Sequence, residues 1–337
     1  MYNLMATIVL DALGGDIGLE INIEGTIDAI KRYKDINVIL VGPEEKITEL
    51  FNKYKFSNTR VKIENATEVI GMEESPTNAV RHKKDSSIIK GMNLIAENKA
   101  DAFVSAGNSG AIIASAMISL HNLPNILRPA IVTFLPTLTG YCVMLDVGGN
   151  VDCKPKNLLQ FAIMGSIYVK EIFGIEQPKV GLLSIGKEET KGNELVLETH
   201  KLLRKSKLNF IGNIEGGDIT LGIADVVICD GFIGNIILKF AEGVGEMLFK
   251  LIKQELKQHP IMFMSIPFLW SALKDLRKRI DYTEYGGAPL LGVNGVCLVC
   301  HGKSNSKAIS KAIYTANEFV NKNINKKISE EMEKIIE

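Results

Sequence analysis

The residues best suited to chemistry in this chain are polar side chains set beside glycines where short apolar runs stop. In residues 224–239, ADVVICDGFIGNIILK, a strand-like run at 226–229 gives way to Asp230, Gly231, Gly234 and Asn235, after which Ile236, Ile237 and Phe240 begin an apolar face at helical spacing. A glycine turn that opens a helix presents backbone N–H groups at the positive end of the helix dipole, so this stretch is a candidate seat for phosphate. Taken alone, it reads more readily as a plain strand-to-helix connection with no ligand, because such turns are common. The arrangement recurs, however. Residues 11–16, DALGGD, follow a strand-like run at 6–10 and open with Asp11, and residues 106–111, AGNSGA, put Asn108 and Ser109 at a helix start after the run at 102–105. Residues 146–152, DVGGNVD, follow 141–145 and carry Asp146 and Asn150. Residues 186–194, GKEETKGNE, follow 180–185 and set Lys191 and Asn193 just before an amphipathic stretch, where charge and amides could hold phosphate. His301 ends the run at 296–300, a position open to a site role. Residues 75–90 gather Arg81, Lys83, Lys84 and Lys90 with His82, either as a solvated helix face or as an anion site.

The elements that must position these residues alternate. Strand-like runs at 6–10, 37–41, 61–64, 102–105, 180–185, 211–214, 226–229 and 296–300 are interleaved with helical patterns, which predicts an α/β fold with a mostly parallel sheet covered by helices. In an open sheet of this class the loops at the carboxyl ends of the strands face one crevice, so the glycine turns are expected to converge. The runs at 130–135 and 141–145, separated by 136–140, read as an antiparallel hairpin beside the main sheet. No linker or repeat divides the sequence. The expected organisation is one α/β domain over 1–337 with two lobes, and a projecting helical hairpin at 246–280.

Composition narrows the function class. The 337 residues are 46% hydrophobic and 23% charged, as in a well-packed soluble protein. Lys plus Arg and Asp plus Glu each number 39, a balance that gives no support to nucleic-acid binding. The five cysteines, Cys142, Cys153, Cys229, Cys297 and Cys300, are odd in number and lie in or near apolar runs, and Cys297 and Cys300 have no second pair to complete a zinc site. They read as reduced core residues of a cytoplasmic protein, and neither a metal nor a cofactor is expected. The start of the chain lacks a signal-peptide pattern, and the four residues before Met5 read as an alternative start or an extension. Residues 260–270, PIMFMSIPFLW, are too short to span a bilayer and are flanked by Lys250, Lys253 and Lys257 before and Lys274, Arg277, Lys278 and Arg279 after. An apolar tip between cationic helices suits shallow insertion into an anionic membrane surface through Phe263, Phe268, Leu269 and Trp270; a hairpin buried between two copies of the chain would read the same.

The motifs as an ordered set carry a resemblance. LDALGGD, KKDSS, VSAGNSGA, LDVGGNVDCKP, LLQFAIMGS, ETKGNE, FIGNIEG, DGFIGNIILK and DYTEYGGAPLLGVNG, spread over residues 10–295, resemble the phosphate acyltransferases of bacterial phospholipid synthesis. The resemblance implies transfer of a fatty acyl group from acyl carrier protein to inorganic phosphate, and the acyl phosphate then serves an acyl-phosphate:glycerol-3-phosphate acyltransferase. It implies a three-layer α/β/α fold similar to phosphotransacetylases and to isocitrate and isopropylmalate dehydrogenases. It further implies a homodimer associated peripherally with the inner face of the cell membrane. Leu13, Gly149, Ser109, Ile233 and Lys303 depart from the family's usual residues. Ile233 matters most, because it stands where a threonine hydroxyl is frequent.

Within that resemblance the chemistry needs no serine or cysteine nucleophile, since phosphate is itself a nucleophile and the thiol it displaces has a pKa of about 8.5. The site must hold a dianion against a thioester carbonyl and stabilise the developing oxyanion. Lys191 and Asn235, with Ser109 and the 231–234 backbone including Gly231 and Gly234, are the expected phosphate ligands; Asn193 or Asn108 is expected at the carbonyl oxygen. Asp11, Asp146, Asn150, Asp230, Lys239 and His301 are expected in support. Arg81, Lys83 and Lys84, or the cluster at 274–279, offer basic surface for a carrier protein. An acyl-CoA-dependent phosphotransacetylase is the near alternative. A nicotinamide-dependent dehydrogenase shares the fold, but the chain has no full G-x-G-x-x-G with a following acid.

Overall fold

The computed structural model describes residues 5–258 and 286–336. The expected hairpin at 246–280 lies outside them beyond Gln258, as do Phe263, Phe268, Leu269 and Trp270.

Two sheets organise the chain. The first contains β1 (Ala6–Asp11), β2 (Ile36–Gly42), β3 (Val61–Asn65), β4 (Ala102–Ser105), β5 (Ala130–Ile131), β11 (Ala288–Leu291) and β12 (Val296–Val299), in the order β3-β2-β1-β4-β12-β11-β5. Its first five strands are parallel, and β11 runs antiparallel to both β12 and β5. The second contains β6 (Thr133–Thr137), β7 (Gly140–Leu145), β8 (Val180–Leu183), β9 (Phe210–Ile214) and β10 (Val226–Ile228), in the order β6-β7-β10-β8-β9, parallel except for the β6/β7 hairpin. Ile8, Val9 and Leu10 of β1 and Val226, Val227 and Ile228 of β10 are all fully buried. Helices on both faces explain why these strands read as continuous apolar runs rather than as alternating ones.

The hairpin expected at 130–145 is present in part. Ala130 and Ile131 pair with Leu291 and Leu290 in the first sheet, whereas Thr133 onward pairs with β7 in the second. The run that reads as one strand therefore steps between sheets at Val132, whose N–H donates to the carbonyl of Pro289 at 3.0 Å.

Helices α1 (Leu19–Arg32), α2 (Glu44–Lys53), α3 (Pro76–His82), α4 (Ser87–Ala96) and α5 (Ser109–Ser119) belong to the first half of the chain. Helices α6 (Pro155–Phe173), α7 (Glu194–Lys205), α8 (Gly216–Leu221) and α9 (Gly231–Gln258) follow, and the helices at Ser306–Asn321 and Ile324–Ile336, here α10 and α11, close the described chain. Tyr168 of α6 is fully buried between Phe134 of the second sheet and Phe319 of α10, each ring 6.1 Å away. Each sheet with the helices that cover it is here called a lobe, and one continuous apolar cluster runs through Leu10 and Val104 of the first and Leu145 and Leu182 of the second. On α9 the side chains of Phe232, Ile236, Phe240, Met247 and Leu251 recur at helical spacing and stay exposed, Phe240 to 72%. Among the described residues no helix is long and apolar enough to cross a membrane.

Candidate active site between the lobes

A cavity of about 340 Å³ opens where the strands of both sheets end. Its lining includes Ile131, Val132 and Phe134 from the chain that steps between sheets, Val299 and Cys300 from the end of β12, and Ala308 from the first turn of α10. All six are buried, at 0 to 7% exposure. Burial pushes the Cys300 thiol up to about 12, so it forms wall rather than nucleophile.

The rim is polar. Of the residues expected from the sequence, the structure brings Ser109, Asn235, Lys239 and His301 to this cavity. Lys239 Nζ lies 3.0 Å from Glu242 Oε2, and the same oxygen lies 4.0 Å from His301 Nε2. The N–H of Lys303 donates to His301 Nδ1 at 3.0 Å, which in the neutral ring leaves the proton on Nε2. Partial burial lowers the pKa of His301, against the opposing pull of Glu242. Glu242 is absent from the sequence-based set; its signal was the spacing of three residues after Lys239 on one helix.

The turn after β7 anchors one side of this rim. Asp146 is fully buried, and its Oδ1 accepts the N–H groups of Ile131 at 2.8 Å and Val147 at 2.7 Å. Its Oδ2 accepts the N–H of Asn150 at 2.5 Å and the Nδ2 of Asn150 at 2.8 Å. Burial raises the pKa of Asp146, and these hydrogen bonds oppose the shift. Asn150 Nδ2 also donates to the carbonyl of Pro129 at 2.7 Å.

Against this turn stands the start of α9, and here the structure corrects the expected phosphate seat. The helix begins at Gly231 itself, with no glycine loop before it. The N–H of Gly231 donates to the carbonyl of Asn150 at 2.8 Å, that of Ile233 to Asp230 Oδ1 at 2.9 Å, and that of Gly234 to the Asp230 carbonyl at 2.9 Å. The N–H groups of Gly231, Ile233 and Gly234 are thus engaged within the protein. The glycines serve close contact instead: a Cβ on Gly231 would stand 2.7 Å from the Asn150 carbonyl oxygen, and one on Gly234 would stand 2.0 Å from that of Asp146. Asp230 caps the helix, and α9 in turn carries Asn235 and Lys239 to the cavity.

Four further residues expected at the site, Asn108, Asn193, Lys191 and Asp11, do not line this cavity. Asn108 is 6% exposed and fully engaged: Oδ1 accepts the N–H of Ala111 at 3.1 Å, and Nδ2 donates to the carbonyls of Gly71, Met72 and Glu74 at 3.0 to 3.1 Å. It has no donor left for a substrate carbonyl. Asn193 caps α7, its Oδ1 accepting the Val196 N–H at 2.9 Å. Lys191 and Asn193 are exposed on the loop after β8 and do not line the cavity, so the static fold does not gather them around Asn235. That loop is held by Asn213, whose Nδ2 donates to the Glu188 carbonyl at 2.9 Å while His200 Nδ1 meets its Oδ1 at 2.9 Å. Asp11, 1% exposed, accepts from the Ser105 hydroxyl at 2.6 Å and the Leu13 N–H at 3.0 Å. It borders a separate first-lobe cavity of about 140 Å³ rather than the larger one.

Comparison with known proteins agrees with the motif resemblance. A family model described as "Fatty acid synthesis protein" matches residues 6–327. The chain is 52% identical over 306 residues to a phosphate acyltransferase of Endomicrobium trichonymphae, covering 90% of each chain. It is 50% identical over 304 residues to one of Halothermothrix orenii, covering 90% of this chain and 91% of that one. Among solved structures, a phosphotransacetylase from Streptococcus pyogenes aligns with a TM-score of 0.61 at 20% identity over 93% of each chain. EutD phosphotransacetylase from Staphylococcus aureus aligns at 0.59 and 16% identity over 94% of each. These two show a shared α/β fold. On the family match and the curated relatives together, the chain belongs to the fatty acid synthesis protein family and within it to the phosphate acyltransferases.

Proposed function

We propose that this enzyme transfers a fatty acyl group from acyl carrier protein to inorganic phosphate at the rim of the inter-lobe cavity. The observation that carries the reading is the polarity of that cavity, with a buried hydrocarbon lining below an exposed amide, an ammonium and an imidazole at Asn235, Lys239 and His301. A fatty thioester has the same polarity, with an apolar tail and one reactive polar end.

Phosphate bound beside Lys239 and Asn235, near the start of α5 at Ser109, directs one oxygen at the thioester carbonyl carbon. The P–O–C bond forms, the carbonyl becomes an oxyanion, and its collapse breaks the C–S bond; the thiolate leaves and takes up a proton from solvent. In this reading His301, through Nε2–H, donates to the oxyanion. Asp11, Asp146, Asn150 and Asp230 act by fixing the turns, since a carboxylate beside phosphate would repel it. Chemistry of this kind requires neither metal nor covalent enzyme intermediate.

In this reading the protein acts as a homodimer in the cytoplasm, peripherally on the inner face of the membrane, and hands acyl phosphate to an acyl-phosphate:glycerol-3-phosphate acyltransferase. The exposed apolar face of α9 supports an association of that kind. The alternative is an acyl-CoA-dependent phosphotransacetylase. Incubation with palmitoyl acyl carrier protein, with and without phosphate, followed by trapping as the hydroxamate, tests both. Phosphate-dependent product that is much weaker from palmitoyl-CoA supports the carrier-protein reading; stronger product from palmitoyl-CoA supports the alternative, and no product from either donor overturns both.

A further inference from the structure

We infer that the floor of the inter-lobe cavity measures the acyl chain, and that Ala288 and Ala308 set its depth. This deepens the reading of the rim as the acyl-transfer site and rests on it for the identity of the ligand.

Apart from the hydroxyls of Thr133 and Ser304, the buried lining is hydrocarbon and the Cys300 thiol, with no charged side chain in it. Such a surface cannot hold phosphate, and it gains free energy by covering methylenes. Its walls come from elements that are fixed independently. Val132 lies where the chain steps between sheets, Val299 sits opposite Ala288 in the β11/β12 pairing, and Ala308 is held in the first turn of α10, where its N–H donates to the capping Asn305 Oδ1 at 2.9 Å. A pocket with fixed walls discriminates by length, because a chain that overruns it must leave methylenes in water or displace packed side chains. Ala308, buried, and Ala288, partly buried, are the two alanines of this lining, and they come from different elements. A larger side chain at either position takes space directly from the ligand.

Each methylene that fits is worth about fourfold in affinity. A leucine at 308 adds three carbons to the wall and should lower the preference for a long over a short chain by up to roughly sixtyfold. Val299→Ala removes two carbons and should move the preference the other way by severalfold.

The test measures chain preference without requiring turnover. Displacement of bound cis-parinaric acid by octanoate, dodecanoate and myristate is followed for the wild type, Ala308→Leu and Val299→Ala, with thermal unfolding as the check on folding; Ala288→Leu replaces a variant that fails to fold. Opposite shifts in the myristate-to-octanoate ratio for the filled and the emptied cavity support the inference. A ratio unchanged in both, whether binding is retained or lost equally for every chain, overturns it, as does a wild type that binds none of the three. The hydroxamate assay separates the two failures. Acyl phosphate formed with an unchanged ratio leaves the acyl-transfer reading standing without this floor, and shifted ratios with no acyl phosphate from any donor leave an apolar-chain site without that reaction.

Discussion

In the first lobe Asp11 closes β1, and in the second Asp146 closes β7; both are buried, at 1% and 0% exposure, and burial raises the pKa of each. What they hold differs. Asp146 gathers three backbone N–H groups and the Asn150 amide, and its turn is sealed under the first turn of α9. Asp11 takes two hydroxyls, of Ser105 and Ser87, and two backbone N–H groups, of Leu13 and Gly14, and its turn faces a cavity of about 140 Å³. A hydroxyl can rotate to another partner when its acceptor is removed, whereas a fixed backbone N–H cannot. The second lobe therefore supplies the rigid footing for Asn235, Lys239 and Glu242, and the first-lobe turn is braced less.

The sharpest test of that contrast is truncation. Asp146→Ala strands the N–H groups of Ile131, Val147 and Asn150 in the interior and should cost about 3–5 kcal/mol. Asp11→Ala should cost about 1–3 kcal/mol. Urea unfolding measures both, and equal losses would break the comparison.

Along α9 the same contrast separates its glycines. Gly234→Ala forces a Cβ to 2.0 Å from the Asp146 carbonyl oxygen, whereas at Gly243 nothing lies within 4 Å. The first should destabilise by about 2–3 kcal/mol and the second should stabilise by about 0.5–1 kcal/mol, read as opposite changes in midpoint by calorimetry.

Kinetics extend the test to the rim. Lys239→Met should raise the KM for phosphate about tenfold, the effect of losing one charge-assisted hydrogen bond. Lys191→Ala, on a loop outside the cavity, should change it less than about threefold. A larger effect at Lys191 would mean that the lobes close over the substrate and bring that loop in.

The smallest expected effect is on pH dependence. Because burial lowers the pKa of His301, the unfolded chain binds its proton more tightly than the native protein does. The stability linked to neutral His301 is complete above the unfolded pKa of 6.5 and is lost as pH falls below it. Protonation also removes the lone pair that accepts the Lys303 N–H. Between about pH 7.5 and pH 5.5, wild type should lose more stability than His301→Gln does. Asp11 and Asp146, with raised pKa values, favour the native state as pH falls, but they are common to both proteins and cancel in the difference.

Much of the fold was legible in the amino-acid order because it depends on local pattern. The buried runs of β1, β4 and β10, the glycines that end them and the apolar spacing of the helices all act within a few residues, and the ordered motifs point to the family. The glycine turns do not all converge on one crevice. Asn235, Lys239, Ser109 and His301 do meet, but Lys191, Asn193 and Asp11 lie elsewhere. No local signal reveals that the run at 130–135 divides between two sheets, because both halves are equally apolar and only the partner strands, β11 and β7, differ.

The sequence by itself therefore determined which donors and acceptors exist, where strands stop and helices start, and which family the chain resembles. Only the tertiary structure decided which of those groups remain available. Asn108 is engaged by three carbonyls from the 71–74 segment, Gly231 by the carbonyl of Asn150, and Lys239 and His301 are brought to one carboxylate, Glu242, from distant parts of the chain. A hydrogen bond belongs to a pair of groups, and when the partners are far apart in sequence their pairing is fixed by packing rather than by residue type.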